Sequence, residues 1–243
     1  MQPLPVQPDL VERAYGAILE AICDGTLTAG ARLTQEELAE RLQVSRQPVM
    51  QALLLLKKEG FLCEAGRRGL QVAPLEIPRV QHLYAIRGAL DGLAARGAAE
   101  RAAAEAKRQG PGLIAAGRRA VRAGEVSAMI AADMAFHQML YALSGNPLIA
   151  EMMALQWRHV RRVMGAVVRR DGMADGVWDE HAVILAAVSD GDAVRAERLS
   201  REHTERSAET LALGLVAAGD KMQAYGKGSR SRRGHVPAQG GNA

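Results

Sequence analysis

The spacing of apolar residues along the chain predicts helices in most segments. One short segment repeats apolar side chains at the i, i+3, i+4 and i+7 positions of a helix: Val49, Ala52, Leu53 and Leu56. A longer segment has the same helical spacing: Leu83, Ile86, Leu90, Leu93 and Ala94. Phe and Tyr are few beyond residue 75, and no run of alternating β-branched residues occurs there. The second half of the chain is therefore expected to be entirely helical.

Turn and cap signals divide this second half. Gly110-Pro111-Gly112, Gly124, Asn146-Pro147, Gly172 and Gly191 each stand between apolar helical segments. They predict helices over about 75–104, 112–123, 127–143, 147–169, 176–190 and 192–217. This arrangement is typical of an antiparallel bundle of about six helices. No internal repeat is visible.

The first half begins with signals for two short helices. Thr34 and Glu37 form a capping box, in which each side chain satisfies a backbone amide at the helix start. A second helix follows after a three-residue turn, with Ser45 as its predicted N-cap and Pro48 in its first turn. Two short helices joined in this way indicate a helix-turn-helix, and an ordinary helical hairpin is the alternative.

The segment after these helices favours the DNA-binding alternative. Residues 61–64 and 70–73 are short strand-like runs on either side of a Gly- and Arg-rich turn at 65–69. A basic hairpin directly after a recognition helix is typical of a wing. The fold class is therefore expected to be mainly α, with an N-terminal winged helix-turn-helix at residues 9–74 and the helical bundle at 75–217. Pro74 and Pro78 mark the linker.

The charge of the chain changes this interpretation little. The formal net charge is +4 and the pI is near 9.3, but residues 226–243 contain four basic and no acidic side chains. The remainder balances 27 basic against 27 acidic residues, so bulk electrostatics does not argue for a polyanionic partner. Local excess does: five basic residues stand against two acids between positions 46 and 68. Residues 226–243 are expected to be a disordered basic tail.

Other features exclude several classes of protein. Cys23 and Cys63 lack the spacing of a disulfide framework or a thiolate zinc site. Apolar stretches are far shorter than the roughly 18–20 residues that a membrane span needs. We therefore expect a cytoplasmic protein with no membrane segment.

Four residues of the bundle are candidates for a metal site. Asp133 and His137 stand four apart on one predicted helix, while His181 and His203 lie on two others. Helices of a bundle often build metal sites from inward-facing side chains. Any one of these histidines could equally be a surface residue or a satisfied core residue.

The N-terminal segment resembles the winged-helix domain of GntR-family bacterial transcription regulators. The resemblance rests on 22–27, 30–33, 37–39, 44–49, 59–61 and 67–69, which read ICDGTL, GARL, ELA, VSRQPV, EGF and RRG. It implies that double-stranded operator DNA is bound by Arg32, Ser45, Arg46, Gln47, Arg67, Arg68 and Gly69. Two positions depart from the family pattern: Met50 and Leu19 stand where arginines are usual. Met50 offers only apolar contact to a base, so the operator sequence cannot be carried over.

Residues 78–215 are similar to the FCD ligand-binding domain of the FadR subfamily. The matching segments are LYAIRGALD at 83–91, DMAFH at 133–137, SGNPL at 144–148 and EHAVI at 180–184. The similarity implies that Asp133, His137, His181 and His203 hold a divalent cation. Three imidazoles and one carboxylate suit Zn²⁺, Ni²⁺ or Mn²⁺ without choosing among them.

The same similarity implies control by a ligand. It predicts a homodimeric repressor that a small organic acid releases from DNA, with Arg87 and Arg206 as candidate effector-binding residues. The alternative from another class is a metal-dependent hydrolase or lyase with a helical active site. Glu180 would be its nearest spare carboxylate, although its place before His181 predicts that it points to another face.

Overall fold

A computed structural model describes residues 10–66, 69–168 and 176–230, with side chains as far as residue 217. The N-terminal elements are α1 (Leu10–Cys23), β1 (Arg32–Leu33), α2 (Gln35–Leu42), α3 (Arg46–Lys58), β2 (Leu62–Glu64) and β3 (Leu70–Val72). The C-terminal elements are α4 (Ile77–Ala123), α5 (Val126–Leu143), α6 (Pro147–Val167), α7 (Val177–Ser189) and α8 (Ala193–Arg230).

The predicted winged helix-turn-helix is confirmed. Three antiparallel strands pair in the order β1-β3-β2, and β2 and β3 form the wing with Leu62 opposite Val72. The sequence did not predict the short strand β1. It pairs with β3 on the side opposite to β2. A separate apolar core of this domain includes Ile18, Leu53 and Phe61.

The helix-turn-helix is fixed by local hydrogen bonds. The Glu37 amide donates to Thr34 Oγ1 (3.2 Å), as the capping box predicts. The Glu37 carboxylate accepts from the Thr34 hydroxyl (2.9 Å). Gln43 ends α2 with φ of 53°, in the left-handed region. Ser45 is the N-cap residue of α3, but the prediction that its hydroxyl caps the helix was wrong: the side chain makes no cap hydrogen bond.

The described part of the C-terminal domain contains helices joined by turns and no strand, as predicted. Its described part contains five helices, and α4 consists of two helical segments that meet at Ala102, where φ is −143° and ψ is 31°. The break predicted at Gly110-Pro111-Gly112 was therefore wrong, because α4 continues through these residues. Gly110 and Gly117 serve close packing instead: a Cβ on either would overlap Leu185 or Trp178 of α7.

The buried face of α4 also differs from the expected apolar stripe. Ile86 is 57% exposed and Leu93 is exposed as well, whereas Arg87 and Asp91 are buried with Ala94. The helical periodicity was predicted correctly, but the wrong face of α4 was expected to be buried. The buried face carries an ion pair, and a hydrophobicity pattern assigns charged residues to the solvent-facing side.

Helix α8 runs into the predicted tail, since its backbone is helical as far as Arg230. The disorder expected for residues 226–243 stays a prediction. Helical hydrogen bonds are local, so the backbone of a helix can extend beyond its packed face without a tertiary partner. Residues 231–243 lie outside the described residues. None of the described helices is long and apolar enough to span a bilayer.

Helix α6 joins the two domains. Arg158 Nη1 donates to Tyr15 Oη (2.7 Å), and the Tyr15 hydroxyl donates to the Glu59 carboxylate. His159 stacks on Phe61 with ring centroids 4.1 Å apart, and its Nε2 lies 3.0 Å from the carbonyl oxygen of Glu59. Burial lowers the pKa of His159 to about 4, so the ring is neutral near pH 7 and Nε2–H donates this bond.

The glycines of α4 give a test of this packing. We expect Gly117→Ala to destabilise the chain by about 1–3 kcal/mol, because the new Cβ meets the rigid, buried ring of Trp178. Gly112→Ala is the matched control on the same helix, since no atom lies within 4 Å of its Cβ position. It should stabilise by roughly 0.5–1 kcal/mol through helix propensity. Urea unfolding measures both changes, and equal effects would contradict the packing.

Candidate metal centre and DNA-binding surface

The four predicted metal ligands converge inside the helical domain. Asp133 and His137 come from α5, His181 from α7 and His203 from α8, and all four are buried. Their candidate ligand atoms lie within 4.8 Å of one another. His181 Nε2 is 3.1 Å from His203 Nε2 and 3.5 Å from Asp133 Oδ1. The convergence follows from packing of these helices around α4.

The spacing fits a divalent cation. Metal–nitrogen bonds of about 2.0–2.1 Å place neighbouring ligand atoms about 2.8–3.4 Å apart in octahedral or tetrahedral geometry. His137 Nε2 lies 3.9 Å from Asp133 Oδ1, so the group needs only a small contraction around an ion. His137 Nε2 and Asp133 Oδ2 are buried without a hydrogen-bond partner. Buried polar atoms are normally satisfied, and a cation would satisfy the imidazole nitrogen directly.

Burial also sets the protonation states that a metal needs. Desolvation lowers the pKa values of His137 and His181 well below the usual value, with the Arg87 charge adding to the shift. These rings are therefore neutral near pH 7, which is the form that coordinates a metal. Burial raises the pKa of Asp133, and Arg87 opposes that rise.

Two carboxylates lie beside the imidazoles. His203 Nδ1 lies 2.6 Å from Glu180 Oε2, while His137 Nδ1 lies 3.3 Å from Asp91 Oδ2 without forming a hydrogen bond. A carboxylate on the far nitrogen leaves Nε2 to face the metal and raises ligand basicity. The expectation that Glu180 points away from the site was wrong, because its partner His203 lies on the neighbouring helix α8. The i,i+4 spacing of Arg87 and Asp91 was the available signal for Asp91.

The Asp91 carboxylate accepts hydrogen bonds from side chains of three helices. Its Oδ2 accepts from Arg87 Nε (3.1 Å) and Thr204 Oγ1 (3.2 Å), and its Oδ1 accepts from the Tyr141 hydroxyl. Burial and the Asp91 charge raise the pKa of Tyr141, so that hydroxyl keeps its proton. These contacts connect α4, α5 and α8 behind the four ligands.

A cavity of about 300 Å³ opens beside the four ligands. Asp133 lines it, as do both predicted effector-binding residues, Arg87 and Arg206. Arg87 is only 2% exposed, and its Nη2 lies 3.6 Å from Asp133 Oδ2 without a hydrogen bond. Arg206 Nε donates to Glu180 Oε1 (2.7 Å) at the exposed side. The structure therefore brings the predicted ligands and the predicted effector residues to one place.

Four of the predicted DNA-binding residues are exposed on the winged helix. Arg46 begins α3 and is 64% exposed, and its guanidinium contacts the Glu36 carboxylate of α2. Arg32, Ser45 and Gln47 are also exposed, and Gly69 is half-buried in the wing. Arg67 and Arg68 lie outside the described residues.

The two departures from the family pattern occupy different surroundings. Met50 is exposed one turn after Arg46 on α3. Leu19 is buried in the winged-helix core. An apolar residue at position 19 thus contributes to packing, whereas Met50 lies on the exposed face of α3.

Each half of the chain matches a known protein family. Residues 10–72 match the bacterial regulatory proteins of the gntR family, and residues 82–206 match the FCD domain. An HTH-type transcriptional regulator in an unstable DNA locus of Streptomyces ambofaciens is 30% identical over 187 residues. That alignment covers 73% of this chain and 74% of the relative.

Two further proteins are similar over most of their length. The HTH-type transcriptional repressor RspR of Escherichia coli is 25% identical over 85% of this chain and 90% of that protein. A solved structure of a GntR transcriptional regulator from Rhodococcus sp. RHA1 has the same fold. It aligns with a TM-score of 0.69 at 22% identity, covering 83% of this chain and 96% of that chain.

Metal analysis of the purified protein tests the four-ligand cluster. We expect about one divalent cation per chain in the wild type and loss of that cation in His181→Ala, because three ligands hold an ion less tightly than four. His82→Ala is the control, since His82 is exposed on α4. Equal metal content in wild type and His181→Ala would rule out the site.

A milder variant tests the carboxylate on His203. Glu180→Gln should weaken metal affinity roughly tenfold, the lower end of the range for such partners, because an amide oxygen still accepts from Nδ1 but carries no charge. Competition with a chromogenic chelator measures the change. Affinity equal to that of the wild type would show that Glu180 does not support His203.

Proposed function

The chain belongs to the gntR family of bacterial regulatory proteins and carries an FCD domain, and from this membership we propose that it is a repressor released from DNA by a small carboxylate at a metal centre. It is a helix-turn-helix transcriptional regulator and not an enzyme. One observation carries the proposal: Arg87 and Arg206 line a cavity that Asp133, one of four convergent metal ligands, also lines.

The site itself speaks against the hydrolase or lyase alternative. A metal-dependent hydrolase needs a free carboxylate as general base beside the metal. Glu180 is not a free carboxylate, because one oxygen contacts His203 and the other accepts a hydrogen bond from Arg206. These contacts lower the pKa of Glu180. Asp91 is buried among its own partners. The winged helix, which a hydrolase leaves without a role, is accounted for by a regulator.

The proposed DNA contact starts at the N-terminus of α3. Arg46 and Gln47 are its first two residues, where the helix dipole attracts phosphate and a side chain can reach base edges. We infer that α3 enters the major groove and that the wing with Gly69 follows the backbone. A homodimer would place two such helices about one turn of DNA apart, so a two-fold related operator is expected.

The metal would be held by Asp133, His137, His181 and His203, and it would supply Lewis acidity that binds an anionic oxygen. Zn²⁺, Ni²⁺ and Mn²⁺ all suit these ligands. The chain's own residues define the remaining recognition: Arg87 is buried with one unpartnered nitrogen, and Arg206 lies at the cavity entrance. About 300 Å³ is the lower end of ligand-cavity sizes, which favours a small organic acid.

Helix α6 offers a direct route from this cavity to the winged helix. The Trp157 ring lies 4.5 Å from the Arg87 guanidinium, and the next two residues, Arg158 and His159, contact Tyr15, Glu59 and Phe61. A ligand that draws Arg87 away from Trp157 would therefore act on the helix that holds the DNA-binding domain. By reciprocity, DNA must weaken effector binding by the same factor.

The DNA contact is tested with a duplex selected by the wild-type protein from a random-sequence pool. Arg46→Ala should weaken binding by about 1–3 kcal/mol if Arg46 contacts a base. Arg198→Ala is the matched control, because Arg198 is an exposed arginine of α8 paired with Glu202 at 2.7 Å. Fluorescence anisotropy at fixed salt measures both, and unchanged affinity in Arg46→Ala would remove this residue from the interface.

Control by a carboxylate is tested with a panel of mono-, di- and tricarboxylates in thermal unfolding, with and without chelator. A binding acid should raise the melting temperature of the metal-loaded protein, because ligand binding to the native state stabilises it. The same acid should lower affinity for the selected duplex, and both effects should be lost in Arg206→Ala. An acid that stabilises the chelated protein equally would contradict the metal's role, and unchanged DNA affinity would contradict release.

A further inference from the structure

A second cavity lies at the junction of the two domains, away from the four metal ligands. Its volume is about 360 Å³. The winged helix contributes Cys63 and Ala73, the start of α4 contributes Arg79, and α6 contributes Arg162. Neither the DNA contact nor the proposed effector site uses this space.

Arg162 is a buried cation without a counter-ion. It is only 5% exposed, and its guanidinium donates to the carbonyl oxygen of Ala73. Within the described part of the chain, no carboxylate lies within 4.0 Å of it, although neighbouring Arg158 and Arg161 pair with Glu59 and Glu20. Buried charges are ordinarily paired, because removal from water costs several kcal/mol. A carbonyl dipole alone does not neutralise a guanidinium.

The surroundings of Arg162 increase the positive charge of the cavity. Burial lowers the pKa of Arg162, and the charge of Arg79 lowers it further. The nearby Cys23 thiol does not supply a negative charge, because burial raises its pKa. Two arginines therefore share one cavity and repel each other.

Arg79 of α4 lies next to Gly60 of the winged helix, across the domain boundary. Its guanidinium lies over Gly60, where a Cβ would be 2.6 Å from Arg79 Nη2. Gly60 also has φ of +84°, a conformation that glycine adopts without strain. No described carboxylate is within 4.0 Å of Arg79 either. Glu76 is the third charged residue of the lining, but its side chain is exposed and lies more than 4.0 Å from both guanidiniums. The first turn of α4 also lies at the wall, so the positive end of that helix dipole adds to the field.

We propose that this interdomain cavity binds a small, doubly charged oxyanion between Arg162 of α6 and Arg79 of α4. A charge of −2 neutralises the two guanidiniums, and oxygen atoms are the acceptors that arginines bind best. Phosphate and a small dicarboxylate share this chemistry. The bound anion ties α6 and α4 to the wall formed by the winged helix, so it stabilises one arrangement of the two domains.

Thermal unfolding of the full chain with inorganic phosphate tests the proposal. Phosphate and malonate are titrated separately at constant ionic strength maintained with chloride. The His181→Ala variant is used in parallel, because it removes the proposed metal centre but leaves this cavity intact. We expect a saturable rise in melting temperature with phosphate in both proteins. A larger rise with malonate would identify a dicarboxylate as the better occupant.

Variants assign the binding to the two arginines. Arg79→Gln should raise the apparent Kd for phosphate about tenfold or more, because it removes a charge-assisted contact from an exposed position. Arg162→Gln should raise this Kd as well. If Arg162→Gln does not fold, the Kd of Arg79→Gln is sufficient to test the proposal. Arg161→Gln is the matched control on α6, since Arg161 pairs with Glu20 and does not line the cavity.

Three results would overturn the proposal. The first is a rise that phosphate, malonate and chloride produce equally, and the second is a rise that does not saturate. The third is an equal Kd in wild type and Arg79→Gln, or an equal loss in Arg161→Gln. Loss of phosphate binding in His181→Ala would place the anion at the metal centre instead.

Discussion

The buried ion pair of Arg87 and Asp91 is the constraint around which the helical domain is arranged. Two opposite charges inside a protein recover their desolvation cost only when their remaining hydrogen-bonding capacity is also met. Asp91 meets it through Arg87, Thr204 and Tyr141, which come from three helices. Arg87 keeps one nitrogen unpartnered and facing Asp133. The same network that stabilises the domain therefore ends in unsatisfied groups at the cavity.

Helix α6 contacts two different neighbours through side chains two positions apart. Trp157 faces the polar core and lies against Arg87 and His137, whereas His159 faces the winged helix and stacks on Phe61. A rotation of this helix cannot change one set of contacts without changing the other, because packed side chains have discrete arrangements. The interdomain cavity is bordered by the same helix through Arg162. Both proposed ligand sites would thus act on a single element.

Local signals were enough to predict the winged helix and to place Asp133 and His137 on one helix face, whereas the set of four candidate ligands came from the resemblance to the FCD domain. The capping box of Thr34 and Glu37 and the i,i+4 pair of Asp133 and His137 depend only on neighbours in sequence. Features that depend on distant partners could not be predicted. Gly110 and Pro111 signal a helix stop, yet Leu185 requires a glycine there and the helix continues. Glu180 was expected to point elsewhere, because its partner His203 lies on another helix. Arg162 carries no local signal of its missing counter-ion.

The neutral body of the chain limits how DNA can be bound. With 27 basic and 27 acidic residues before the tail, attraction to phosphate must come from a few placed side chains. We propose Arg46 as one of them, and in the free protein it is paired with Glu36. Both partners are largely exposed, so this pair is weak and a phosphate or a base can replace the carboxylate. A binding surface of this kind gives modest affinity per subunit. In the proposed dimer, tight binding would require both helices α3 at once, so a small change in their separation would favour the proposed release.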